Sequence, residues 1–92
     1  MIQSFVDKRA KKLMNGERVA ELANIEMQAR TRLIRLDSAT SLEDLRALRG
    51  NRLEALTGGR KGQFSIRIND QYRICFKWKA EGPTDVEITD YH

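Results

Sequence analysis

Cysteine, histidine and proline are scarce in this sequence, with one of each among 92 residues. One cysteine excludes an internal disulfide, and a single cysteine with a single histidine leaves no zinc ligand set. A chain of this length buries only about 60–65% of its unfolded surface, which leaves little room for a large cofactor pocket. We therefore expect no metal and no cofactor, and a reducing, cytoplasmic location.

Long apolar runs are also absent. No stretch approaches the length of a membrane span, and the first residues are too polar for a secretory signal, so we expect no membrane partner. Hydrophobic residues nevertheless make up 40% of the chain, with well-spaced Leu, Ile and Val. This composition predicts a folded protein, which we expect to be a single domain over residues 1–92.

Positive charge is concentrated in one part of the chain. The net charge is +4, but residues 46–79 hold nine Lys or Arg against two acids, Glu54 and Asp70. Arginine supplies 11 of the 17 cations, and its planar guanidinium can bond two phosphate oxygens at once. The distribution favours a polyanionic partner, although an ordinary solvated surface is the simpler alternative.

The first half of the chain has helical patterning. Ile2–Phe5 is predicted to be a short edge strand, and Ser4 or Asp7 to cap a helix over residues 7–14. Ser41 begins a capping-box pattern before a short helical turn through Leu45. The clearest helix has one apolar stripe at spacings of three and four residues, which we interpret as core packing: Leu22, Ile25, Ala29, Leu33 and Leu36.

The second half alternates between apolar and polar residues. After a short strand near Glu54-Ala55 and a flexible basic loop over residues 57–62, three segments follow the two-residue period of half-buried antiparallel strands. The loop lacks the spacing of a phosphate-binding P-loop. We therefore predict an α+β fold, with N-terminal helices packed on a small twisted antiparallel sheet.

The strand registers place charged residues side by side. Pairing Ile68 with Tyr72 sets Arg67 opposite Arg73, an unfavourable like-charge pair that suggests an anion between them. In the second hairpin, one register sets Arg73 opposite Tyr91, and a two-residue slip pairs Lys77 with Asp85 instead. The first register predicts that Arg67, Arg73 and Tyr91 form a row on the exposed face. Asp90 and His92 would lie beside this row, at the end of the last strand.

Such a row has the groups needed for RNA strand scission. The 2′-hydroxyl attacks the adjacent phosphorus while a base takes its proton, a cation stabilises negative charge and an acid protonates the leaving oxygen. His92 can act as acid or base near neutral pH, and Arg73 can hold the phosphate. Tyr91 can stack on a base or orient the hydroxyl, and Asp90 can steer either ring.

Three stretches together resemble a HigB or GraT-type toxin of the RelE superfamily. They read GNRLEAL (residues 50–56), GQFSIRINDQYRICF (62–76) and VEITDYH (86–92). The resemblance implies a type II toxin that cuts mRNA in the 30S A site of the ribosome, and the missing ligand cluster agrees with a reaction that needs no metal. Its partner would be a HigA-like helix-turn-helix antitoxin, through which any contact with operator DNA would be indirect.

The resemblance also implies site residues. The family's functional arginine and terminal Asp, Tyr and His match Arg73, Asp90, Tyr91 and His92. Some HigB toxins have a functional histidine and a lysine where this chain has Glu54 and Thr57, so either Glu54 or His92 remains open as the general base. Predicted RNA contacts are Arg52, Arg60, Lys61 and Arg67.

Two other functions remain open from the sequence. A non-catalytic basic protein that regulates by occupying RNA or the ribosome has the same charge distribution. A DNA-binding regulator is disfavoured, because no helix-turn-helix pattern is present and the cations lie on strands and loops.

Overall fold

The computed structural model describes residues 1–90. Helix α1 covers Lys8–Met14, α2 covers Glu26–Ser38 and α3 covers Leu42–Arg46. Single 3₁₀ turns or short 3₁₀ helices cover Ala20–Ile25, Arg49–Asn51 and Gly58–Arg60. Strand β1 is Glu54–Ala55, β2 is Gln63–Arg67, β3 is Tyr72–Lys79 and β4 is Gly82–Asp90.

The helix boundaries follow local capping. The Asp7 side chain accepts a hydrogen bond from the Arg9 N–H at the start of α1, and Ser41 accepts one from the Asp44 N–H at the start of α3. Of the two candidates for the first cap, Ser4 and Asp7, the structure uses Asp7, and the predicted Ser41 cap is confirmed. Across residues 1–90, none of the helices combines the length and apolar character needed to cross a membrane.

The predicted apolar stripe forms the helical side of the core. All five of its members, from Leu22 to Leu36, are buried. The stripe is not one continuous helix, however, because Leu22 has non-helical backbone angles and the segment before Glu26 is a 3₁₀ helix. Side-chain spacing of three and four residues fits both helix types closely enough that the sequence alone did not separate them.

The four strands pair in an antiparallel manner, in the order β1-β2-β3-β4. Its apolar face packs against the helices through Ile66, Ile74, Phe76 and Ile88, all buried. The predicted α+β fold is confirmed. The predicted edge strand Ile2–Phe5 is reduced to a single parallel bridge between Phe5 and Val86.

The second hairpin takes the slipped register at the end that carries Arg73. Arg73 lies opposite Thr89, and Cys75 lies opposite Glu87. The register that set Arg73 opposite Tyr91 is therefore wrong. Both registers place the same residues on the core face, so alternation did not choose between them.

A bulge explains the choice of register. The pairing shifts by one residue between Cys75 and Lys77, so that Lys77 lies opposite Thr84. Asp85 takes a left-handed conformation (φ 54°) and its N–H donates to the Ser4 hydroxyl at 2.9 Å. Its carboxylate lies 3.3 Å from Lys77 Nζ, as the slipped register suggested. The N-terminal segment thus holds the extra residue in place.

Candidate active site

Arg73 lies on the face of the sheet that points away from the main core. It shares this face with Ser65 and Cys75, which form a directly opposed pair next to it. The prediction that Arg73 is exposed is wrong, because only 9% of the residue is accessible. Its side chain extends across β2 toward the turn that precedes β1, and this path removes it from water.

The guanidinium of Arg73 is held by several oxygens. Its Nε donates to the Ser65 hydroxyl at 2.7 Å, and its Nη2 donates to the Arg52 carbonyl at 2.6 Å. The Ser65 carbonyl and a Glu54 carboxylate oxygen lie 3.4 and 3.9 Å from Nη2. A buried cation is stable only when it is hydrogen-bonded and paired, and these contacts meet that requirement. They also fix the orientation of the guanidinium.

The Arg52 carbonyl reaches Arg73 because of an unusual backbone conformation. Arg52 is left-handed, with φ 44° and ψ 57°, immediately after the 3₁₀ turn Arg49–Asn51. Asn51 anchors this turn from inside, since it is fully buried and its side-chain amide donates to the Leu45 carbonyl at 3.1 Å. Strain of this kind persists where the surroundings enforce it, and it is frequent at functional sites.

Arg67 lies directly opposite Arg73, as the first hairpin register predicted. Its guanidinium pairs with the Asp70 carboxylate, which is fully exposed. Acidic groups therefore accompany both members of the like-charge pair, Asp70 beside Arg67 and Glu54 beside Arg73. These carboxylates lie at the rim of the site, where Glu54 keeps 58% of its side chain accessible.

The terminal residues of the predicted row are only partly covered by the structure. Asp90 is exposed at the end of β4, opposite Tyr72, and accepts a hydrogen bond from the Gln71 side chain at 3.0 Å. By strand parity Asp90 lies on the face of Ile88 and not on that of Arg73. Tyr91 and His92 lie outside the described residues.

The basic loop is more ordered than the sequence indicated. It contains the 3₁₀ turn Gly58–Arg60, and Arg60 folds back onto β4 with its Nη1 2.6 Å from a Glu87 oxygen. Arg60 also donates to the Gln63 side chain at 3.0 Å. Lys61 and the Arg52 side chain are exposed. Of the predicted RNA contacts in this region, Lys61 and Arg52 therefore face solvent, whereas Arg60 is bound to an acid.

Two residues of the site were missed from the sequence. Ser65 is fully buried and supplies the hydroxyl that orients Arg73. The available signal was a small polar residue between the apolar Phe64 and Ile66, because alternation places Ser65 on the same sheet face as Arg73. Arg32 of α2 was also missed: its Nε donates to the Arg67 carbonyl at 3.2 Å. Nothing local in the sequence brings α2 to the end of β2.

Comparison with known proteins identifies the family. The model of the RelE-like toxin of type II toxin-antitoxin system HigB matches residues 3–92. The chain is also 39% identical over 80 residues to Toxin HigB-1 of Vibrio cholerae serotype O1 (strain ATCC 39315 / El Tor Inaba N16961), covering 85% of this chain and 84% of that protein. The chain belongs to the HigB-like toxin family.

This HigB-like toxin is therefore part of a type II toxin–antitoxin system, which implies an antitoxin partner. Among the described residues, Arg73 is the one buried cation, and it is a permanently charged group within the basic residues 46–79. A guanidinium fixed in this way can stabilise negative charge without first reorganising. The neighbouring Glu54 carboxylate supplies an acceptor for a proton beside it.

Proposed function

We propose that this HigB-like toxin is a ribosome-dependent endoribonuclease of the cytoplasm. It would cleave mRNA in the 30S A site and be neutralised by a HigA-like helix-turn-helix antitoxin. The observation that carries this proposal is the fixed Arg73 guanidinium, held by Ser65, the Arg52 carbonyl and Glu54. Membership of the HigB-like family supports the same conclusion.

In this mechanism Arg73 binds the scissile phosphate. The 2′-hydroxyl oxygen attacks phosphorus as its proton passes to a base, and the bond to the 5′-oxygen breaks as that oxygen gains a proton. The products are a 2′,3′-cyclic phosphate and a free 5′-hydroxyl. Negative charge that develops on the phosphate oxygens is stabilised by Arg73, with no metal ion.

Glu54 is the candidate for the base. Its carboxylate is exposed and lies 3.9 Å from Arg73 Nη2, so a phosphate at Arg73 brings the neighbouring ribose close to it. His92 would then act as the general acid, and Tyr91 would stack on a nucleobase of the RNA. Asp90 would orient the ring of one of these two residues. If His92 is the base instead, Glu54 only helps to position Arg73.

The test is mapping of mRNA 5′ ends after induction of the toxin without its antitoxin. We expect new discrete ends with the wild type, and a loss of about 10²–10³-fold in cleavage with Arg73→Ala, the effect typical of removing a transition-state donor. Deletion of His92 should likewise abolish cleavage and growth arrest. Lys79→Ala, at the exposed far end of β3, is the matched control and should cleave normally.

Thermal melting shows whether each variant is folded, which matters because Arg73 is buried. Glu54→Gln is the second probe, since its exposed side chain can change with little effect on stability. Wild-type cleavage by folded Arg73→Ala and His92-deleted toxins would remove the proposed site. Slowed translation without new 5′ ends would instead support the non-catalytic, ribosome-binding alternative.

A further inference from the structure

Two small side chains are buried on the sheet face that carries Arg73. Ser65 and Cys75 are opposed residues of β2 and β3, and both are fully buried. Cys75 nevertheless lies outside the main hydrophobic core. The outer face of an antiparallel sheet is commonly open to water, so other groups must cover this pair.

Arg60 supplies such a cover. Its Nη1 donates to the Gln63 side chain of β2 at 3.0 Å and lies 2.6 Å from a Glu87 carboxylate oxygen of β4. Strand β3 lies between β2 and β4, and Cys75 lies directly opposite Glu87. A guanidinium that contacts both flanking strands therefore passes over β3 beside Cys75. We call the contacts of Arg60 with Gln63 and Glu87 the Arg60 bridge.

The Arg60 bridge adjoins the residues that orient Arg73. Thr89 lies directly opposite Arg73, and its hydroxyl donates to the Glu87 carboxylate at 3.4 Å. Ser65, on the other side, accepts from Arg73 Nε at 2.7 Å. A hydrogen bond that is shielded from water is stronger than one that water can replace. A cover over Ser65 therefore helps to hold the guanidinium of Arg73 in one orientation.

We propose that Arg60 is a positioning residue, and that the Arg60 bridge seals Ser65 and Cys75 and so keeps Arg73 aligned for cleavage. This inference rests on the proposed function, and it gives Arg60 a different role from the RNA contact that the sequence predicted. To bind a phosphate, the guanidinium would first have to leave the Glu87 carboxylate, with which it forms a charge-assisted contact.

The accessibility of Cys75 tests the seal directly, because Cys75 is the one cysteine of the chain. Its rate of reaction with N-ethylmaleimide is measured for the wild type, Arg60→Gln and Glu87→Gln, well below their melting temperatures. We expect about fivefold faster labelling of both variants, the upper effect of losing a partly exposed ion pair. Lys61→Gln removes the neighbouring exposed charge and should label like the wild type.

A second control separates local opening from unfolding of the whole protein. Asp7→Ala removes the cap of α1, on the helical side of the molecule, and should lower stability without faster labelling of Cys75. Labelling rates that simply follow the stability of each variant, Asp7→Ala included, would show that only global unfolding exposes Cys75. That result would overturn the proposal.

Cleavage kinetics separate positioning from RNA contact. We expect Arg60→Gln and Glu87→Gln each to lower kcat about fivefold and to leave KM unchanged. The double variant should be no worse than either single variant, because both substitutions break the same bridge.

RNA binding gives the opposite outcome its own signature. If Arg60 contacts RNA, Glu87→Gln frees it and tightens binding to RNA with uncleavable 2′-O-methyl sugars, whereas Arg60→Gln weakens binding. The comparison for Glu87→Gln is Glu81→Gln, which removes an exposed carboxylate at the β3–β4 turn. Tighter binding by Glu87→Gln than by this control, with unchanged kcat, would overturn the proposal and make Arg60 an RNA contact.

These outcomes are separable from the test of the proposed function, since labelling of Cys75 needs no RNA. Fast labelling of the bridge variants in a toxin that makes no new 5′ ends would support the seal and reject its part in cleavage together with the endoribonuclease. New 5′ ends from the wild type, with labelling unchanged in the bridge variants, would reject the seal and leave the endoribonuclease standing.

Discussion

At the scale of single residues, the site depends on how Arg73 is oriented. Strand alternation places Arg73 on the face away from the main core, where an arginine is usually solvated. The structure instead encloses it between Ser65 and the left-handed Arg52. A buried guanidinium whose acceptors are fixed has little freedom to turn, and this is the condition for a preorganised phosphate binder.

Ser65 should therefore act as a positioning residue. Replacing it in Ser65→Ala removes the acceptor of Arg73 Nε and leaves a buried donor unsatisfied, which we expect to lower stability by about 1–3 kcal/mol. We also expect kcat for mRNA cleavage to fall about tenfold with little change in KM, since the phosphate is still bound but less well aligned.

Ser65→Thr provides the control, because it keeps the hydroxyl. If Ser65→Thr regains the wild-type kcat but is no more stable than Ser65→Ala, the loss of kcat in Ser65→Ala comes from misorientation of Arg73 and not from a less stable fold. Steady-state kinetics and thermal melting of the three proteins make the comparison. A Ser65→Ala protein that keeps the wild-type kcat would show that Arg73 does not need this bond.

At the scale of secondary-structure elements, Asp7 joins α1 to β4. One carboxylate oxygen caps the helix through the Arg9 N–H at 2.9 Å, and the other accepts from the Ile88 N–H at 3.1 Å. Burial by itself would raise the pKa of Asp7, but the hydrogen bonds from the Arg9 side chain and the Ile88 backbone outweigh it and lower the pKa. The ionised form therefore stabilises the fold.

We expect Asp7→Ala to lower the free energy of unfolding by about 2 kcal/mol, the upper range for a lost helix cap. The contribution of Asp7 is fully present above the pKa of the unfolded chain, about 3.9, and is lost as pH falls through the lower pKa of the folded state. Denaturant unfolding from pH 7 down to pH 2 measures this dependence.

In that series the difference between wild type and Asp7→Ala should be largest near neutral pH and should shrink in acid. Glu81→Gln changes an exposed carboxylate at the β3–β4 turn and should unfold like the wild type throughout. A difference for Asp7→Ala that stays constant down to pH 2 would show that the charge of Asp7 does not stabilise the fold.

The elements also show where sequence patterns stop being informative. Alternation identified the apolar, core-facing residues of β2, β3 and β4, but it did not reveal that Ser65, Arg73 and Cys75 are buried on the opposite face. It left two registers open in the second hairpin, since both keep the same faces. The bulge at Asp85, tied to Ser4 from the other end of the chain, selected one of them.

At the scale of the whole molecule, the dominant feature is the unequal distribution of charge. Residues 46–79 hold nine Lys or Arg against two acids. Part of the charge is neutralised internally, as in the pair between Arg60 and Glu87. The remainder is available for a polyanion, so binding should be largely electrostatic.

We therefore expect RNA affinity to fall steeply with salt. For single-stranded RNA, the logarithm of the association constant should decrease linearly with the logarithm of the salt concentration, with a slope of about −0.7 for each phosphate contact. Titrating uncleavable RNA at several ionic strengths measures the slope, and Lys61→Gln, at an exposed position, should reduce it by one contact. Affinity that is constant across this range would contradict a basic-face interface.

The sequence by itself determined the α+β class, the apolar faces of helices and strands, the Ser41 cap and the pairing of Arg67 with Arg73. Each of these follows from the spacing of neighbouring residues along one element or across one tight hairpin. Only the tertiary structure decided the burial of Arg73, its bonds to Ser65 and the Arg52 carbonyl, the register of the second hairpin and the approach of α2 to β2. Those features arise from contacts between residues distant in the chain, such as Arg52 and Arg73, 21 positions apart, and no local periodicity encodes them.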